Sequence, residues 1–204
     1  MAPFSHKQAK PAQGEGHSSP CQKAGALWPQ KGNAGAGMTP LEAAVRGLVA
    51  GAVGALAMDL VWYRRYKRGG GESKFLDWEF SAGMTEWQSA PAPAQLGKRL
   101  YEGVFQRTLP PERAGFTNNV MHWGYGMAWS TAYGIVVGSL RRPSAIYGLP
   151  FGAVVWASSY VVLPLAKLYK PIWEYDAPTL LKDLTAHLAY GTGTSAAFAL
   201  LVRL

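Results

Sequence analysis

The chain has 204 residues, a formal net charge of +8, 24 glycines and 16% charged residues. Its one cysteine, Cys21, excludes an intramolecular disulfide. The basic excess lies in the N-terminal tail and beside apolar stretches, with no nucleic-acid motif, so it points to membrane anchoring and no nucleic-acid partner is expected.

Residues 1–40 are rich in Gly, Ala, Pro, Lys, Gln and Ser and carry no apolar h-region or cleavage pattern, which predicts a disordered tail, not a signal peptide. Translation starting at Met38 is an alternative. Residues 41–204 hold four apolar blocks: Leu41 to Trp62, Val120 to Leu140, Ala145 to Ala166 and Leu184 to Val202. Each is close to the ~20 residues that cross a hydrocarbon core, and the last three contain no Asp, Glu, Lys or Arg. The first carries Glu42, Arg46 and Asp59; Glu42 and Arg46, spaced i,i+4, can pair at its start. A soluble fold would have to bury three or four such helices on every side in a small chain. The expected fold class is therefore all-α: a polytopic membrane protein with four transmembrane helices.

A basic loop at 63–118 separates the first two blocks. In it PAPAQLGKRLYEGVFQRTLPP reads as a helix bracketed by prolines, with Leu96, Leu100, Val104 and Phe105 on one face. Such a helix lies at the bilayer surface or packs on the protein's own spans, and the pattern alone supports both. Trp78 and Trp87 are interfacial anchors or loop packing. Nine Lys and Arg residues in this loop, and Lys167, Lys170 and Lys182 in the third-to-fourth connection, outnumber those on the other side, where Arg141 and Arg142 form a basic hairpin. The excess favours a cytoplasmic loop.

The blocks repeat. HWGYGMAWS at 122–130 and HLAYGTGTS at 187–195 share His-x-x-Tyr-Gly-x-x-x-Ser; GLVAGAV at 47–53 and GLPFGAV at 148–154 share a glycine pair. Taken in order, these are two parallel helix-pair repeats related by a pseudo-two-fold axis along the membrane normal. Steps of four residues form small-residue stripes: Gly47 and Gly51; Gly126, Ser130 and Gly134; Gly148 and Gly152; Gly191 and Ser195. Such stripes let helix backbones approach closely.

A polar cluster is expected near one membrane face. Asp59 lies near the end of its block, and His122 and His187 lie near the start of theirs, each with Asn118 or Asp183 one turn earlier; Glu174 belongs to the same face. These groups cap helices and bond across the bundle, or form a proton or small-solute pathway. Two histidines could also hold haem, or a divalent metal with the aspartates, though no local motif marks either and no cofactor is predicted. No nucleophile elbow surrounds Ser130 or Ser195, and no enzymatic activity is expected. The first functional reading is a structural or interaction module of the cell envelope that packs with itself or a membrane partner, with transport and cofactor binding as alternatives.

The segments GLVAGAVGALAMDLVW, NNVMHWGYGMAW, YGLPFGAVVW and YKPIWEYDAPTLLKDLTAHLAYG resemble the YagU-like family of small bacterial inner-membrane proteins, over roughly residues 44 to 200. The most specific part joins Pro171, Trp173 and Glu174 to Asp183, His187 and Leu188. The resemblance implies a multi-pass protein of the bacterial plasma membrane and carries over no catalytic residues.

Overall fold

A computed structural model describes residues 38–80, 84–140 and 144–204. Most of the expected disordered tail, with Cys21, and the hairpin arginines Arg141 and Arg142 lie outside the described residues. All regular structure among the described residues is helical: α1 (Pro40–Arg68), α2 (Phe75–Glu79), α3 (Ala92–Phe105), α4 (Ala114–Gly138), α5 (Gly148–Leu165) and α6 (Ala177–Leu201), with short 3-10 turns before α4, α5 and α6.

Local signals set these helices. Thr39 caps α1, accepting from the Glu42 amide, and Pro40 sits in the first turn, where its missing N–H is not needed. Glu42 and Arg46 form the i,i+4 ion pair at 2.7 Å. Asp176 caps α6 through the Thr179 amide, and burden-free Pro178 follows in the first turn.

α1 packs between α4 and α6, and α5 packs along α6. Gly47 lies against Gly134 while Asp59 meets His122, so α1 and α4 are antiparallel; Gly152 against His187 makes α5 and α6 antiparallel as well. Tyr133 reaches Ser195 and Gly126 is met by Tyr190, so α4 and α6 run the same way. The close approaches use the small-residue stripes. A Cβ on Gly134 would collide with the Ala43 carbonyl and fall 2.8 Å from Gly47 Cα; one on Gly191 would collide with the Gly148 carbonyl and fall 2.7 Å from Gly152 Cα. Gly51 faces Ser130 in the same α1–α4 seam.

The two halves do not pack alike. No interface comparable to α1–α6 joins α4 to α5. Aligning the glycine pairs supplies the reason: Ala50 and Gly54 of α1, both buried, correspond to Phe151 and Val155 of α5. Gly54 lets α6 approach until Thr194 and the Tyr190 carbonyl fill the space of a side chain, whereas Val155 and the Phe151 ring, 4.5 Å from Tyr133, hold α4 away. The seam also slips by about a turn, since Gly47 faces Ser130 but its counterpart Gly148 faces Gly191.

The interior is small and hydroxylic and the exterior is apolar. Ser130 and Thr194 are 0% exposed and Ser195 1%, while Leu165 is 80% exposed, Val136 63% and Leu200 62%. Ser130 donates to Tyr190, Tyr190 to the Gly126 carbonyl, Tyr133 to Ser195, and Ser195 to the Ser144 carbonyl at the far end of the bundle. Ser130 and Ser195 are therefore bridging groups as well as small ones. Two described helical segments are long and apolar enough to cross a membrane, Pro40–Arg68 and Ala145–Leu165, where the sequence reading expects four. α4 and α6 have the length, but Gly, Ser, Thr, Tyr, Trp and His dilute their hydropathy.

α3 packs at one end on the protein's own helices. Ala94 and Gly97 are buried, and Gly97 abuts Thr117 and Met121 of α4; Leu100, Val104 and Phe105 at its other end are exposed. Trp78 packs with Tyr63, Tyr66 and Phe75, and Trp87 donates to the Leu109 carbonyl, so both tryptophans serve loop packing.

Candidate functional site

Two polar pairs form at the same end of the bundle. In the first, His122 Nε2 lies 2.9 and 3.2 Å from the two Asp59 oxygens, and Asp59 is buried. Asp59 stands one turn past the close-packed stretch of α1, so its carboxylate reaches across to α4 where the helices are still near.

The sequence reading did not single out the third member, Glu79. The aromatic group of Tyr63, Tyr66, Phe75 and Trp78 folds the loop back on α1, and α2 then delivers Glu79 beside Asp59. Trp123 Nε1 donates to Glu79 Oε1 at 3.0 Å, while Oε2 is buried without a partner. Burial, and next the Asp59 charge, hold the Glu79 carboxyl above the usual carboxylate range. The folded state thus binds this proton more tightly than the unfolded chain does. Its contribution to stability is full below the unfolded value and is lost as pH rises through the folded one. Glu79→Gln keeps the Trp123 acceptor and removes that loss. Unfolding midpoints measured from pH 4 to pH 8 should therefore fall less steeply in the variant than in the parent, and equal slopes would refute the burial argument.

In the second pair His187 Nδ1 donates to the Asp183 carbonyl at 3.0 Å and lies 3.4 Å from Asp183 Oδ1. Tyr160, which corresponds in α5 to Asp59 in α1, donates to Asp183 Oδ2 at 3.0 Å. Both repeats thus cross-link their helices at the same level, once through a carboxylate and once through a phenol. Tyr169 and Tyr175 pack on Tyr160, and burial followed by the Asp183 charge pushes the Tyr169 hydroxyl up to about 12. Arg65 fixes the start of α6, donating to the Lys182 carbonyl at 2.7 Å and to Thr185.

The space left between α4 and α5 is a cavity of about 240 Å³, reached by His122, Asp183 and His187 and covered at one end by Pro93 and Leu96 of α3. Arg99 ties α3 to the Ala166 carbonyl at the end of α5. An open polar cleft of about 620 Å³ lies on the other side of His122, lined by Asp59, Glu79, Asn118 and Asn119 among others. His122 is a wall of both.

The remaining expected members fall elsewhere. Asn118 lines the cleft but makes no bond to His122, whose ring is taken by Asp59; Glu174 is exposed in the turn before α6. Among the described residues no group of three or more His, Cys, Asp or Glu side chains is placed to hold a metal ion. Family models, curated proteins and solved structures give no match to this chain. His122 can exchange a proton between cleft and cavity, with Asp59 and Glu79 as acceptors on one side. Asp183 supplies a carboxylate to the cavity wall.

Proposed function

We propose that the chain is a four-span integral membrane protein of the bacterial plasma membrane, as its resemblance to the YagU-like family implies, that it is built from two parallel helix-pair repeats, and that it passes protons or a small solute through the bundle. The membrane reading rests on the inversion of polarity: hydroxyls and glycines inside, Leu and Val outside. Soluble monomers rarely expose contiguous apolar patches beyond a few hundred Å². In lipid the same surface is solvated, and close small-residue contacts and interhelical hydrogen bonds hold the helices. α4 and α6 cross with α1 and α5, the exposed end of α3 lies at the surface, and the basic loop faces the cytoplasm.

The observation that carries the transport reading is the cavity, reached by both polar pairs, with His122 between it and an open cleft. Ionisable groups within a span are expensive unless they face such a space, and there they mark ion and substrate routes. The hydroxyl contacts from Tyr190 to Ser144 extend polarity toward the opposite end. In sealed vesicles containing the purified chain, an imposed pH gradient should collapse faster than in protein-free vesicles. Equal rates, with and without added small solutes, would reject the reading.

An interaction module is the second reading, favoured by the exposed Leu100, Val104 and Phe105 at the end of α3. The glycine stripes that first suggested it are engaged within the chain: Gly47 and Gly51 on α4, Gly148 and Gly152 on α6. No enzymatic step and no haem or metal site is proposed.

A further inference from the structure

We propose that the cavity between α4 and α5 binds a small organic cation, an alkyl- or quaternary ammonium, with the Asp183 carboxylate as its counter-ion. This rests on the transport reading and names the solute class. The volume, about 240 Å³, falls below the ~300–1,000 Å³ of pockets for drug-sized ligands and suits a molecule of a few carbons.

The chemistry of the wall selects the charge. The lining contains Asp183, two histidines and no Lys or Arg, and of the histidines His122 is paired with Asp59. Asp183 accepts the Tyr160 hydroxyl on Oδ2 and has the more distant His187 ring near Oδ1, which leaves acceptor capacity for a ligand. The Arg65 guanidinium is committed elsewhere: it bonds the Lys182 carbonyl and Thr185 and lies 4.8 Å over the Trp62 ring. Trp62, Tyr125, Tyr169 and Tyr190 contribute to the wall, and aromatic rings attract a desolvated ammonium far better than an anion. Most of the remaining wall is aliphatic, as in Val155, Val162 and Leu163, and suits alkyl substituents and not a hydrated metal ion.

The test is calorimetric titration of the purified full chain in mild detergent with choline and with 3,3-dimethylbutan-1-ol, its uncharged isostere. Choline should bind at least tenfold tighter. Asp183→Asn should erase that difference, and Ser159→Phe should abolish choline binding by filling the cavity, since the Ser159 hydroxyl bonds only its own helix at the Trp156 carbonyl. Should Asp183→Asn fail to fold, Ser159→Phe decides: retained choline binding overturns the proposal. Equal affinity for the two probes would give the cavity to a neutral occupant such as a lipid chain and would overturn it too, as would choline binding undiminished by Asp183→Asn. Proton flux without choline binding refutes this inference and leaves the transport reading; choline binding without any flux does the reverse.

Discussion

Replacing Gly191 with alanine is expected to destabilise the bundle by about 3 kcal/mol, a large effect for one methyl group. The added Cβ would sit 2.5 Å from the Gly152 nitrogen and 2.7 Å from its Cα, and would collide with the Gly148 carbonyl. All three obstacles are backbone, so no rotamer change relieves them, and α5 must move off α6. Gly134→Ala should behave alike, through Ala43 and Gly47. Gly126→Ala should be far milder, because its Cβ would rest 3.4 Å from the edge of the Tyr190 ring, an ordinary van der Waals contact, with no backbone in the way. Gly103→Ala and Gly124→Ala meet open space and should stabilise their helices by about 0.5–1 kcal/mol. Unfolding in mixed micelles of increasing SDS fraction measures all five. A Gly191→Ala chain as stable as the parent would contradict the packing described for α5 and α6.

Asp59→Asn is expected to reduce vesicle proton flux at least tenfold while the folded yield stays near that of the parent. Asparagine keeps the size and one acceptor, so His122 retains a hydrogen-bond partner, but the anion that receives a proton is gone. Asp59→Leu should instead unfold or strongly destabilise the chain, because His122 would lose its partner inside the fold; breaking a buried pair costs about 3–5 kcal/mol. The contrast separates a transport role from helix cross-linking. If the pair only joins α1 to α4, Asp59→Asn leaves flux unchanged.

The long helices were legible because long apolar blocks are local signals, although α6 begins at Ala177, after its Asp176 cap, well ahead of the block that starts at Leu184. Depth put Asp59 and His122 at the same level, since one lies late in its block and the other early in its own; that they pair directly, and that Asn118 does not bond His122, did not follow from depth. Glu79 was not legible. It sits on a five-residue helix with no periodicity, and its position depends on an aromatic group formed by residues 63 to 78. Nor did the repeat reveal its own asymmetry, because Gly54 against Val155 looks like a minor difference until α6 and α4 are placed beside them. The cavity is the consequence of two exchanges of a small residue for a bulkier one, Ala50 for Phe151 and Gly54 for Val155.

The most direct test of the central claim, that the outward apolar surface faces lipid, is cysteine labelling in native membrane vesicles. In a Cys21→Ser chain, single cysteines replace Val53, Ala132 or Val154, exposed on α1, α4 and α5, with Glu72 in the loop as the positive control. A water-soluble maleimide should label position 72 from one side and none of the other three from either side until detergent is added. Ready labelling of positions 53, 132 and 154 in intact vesicles would contradict it.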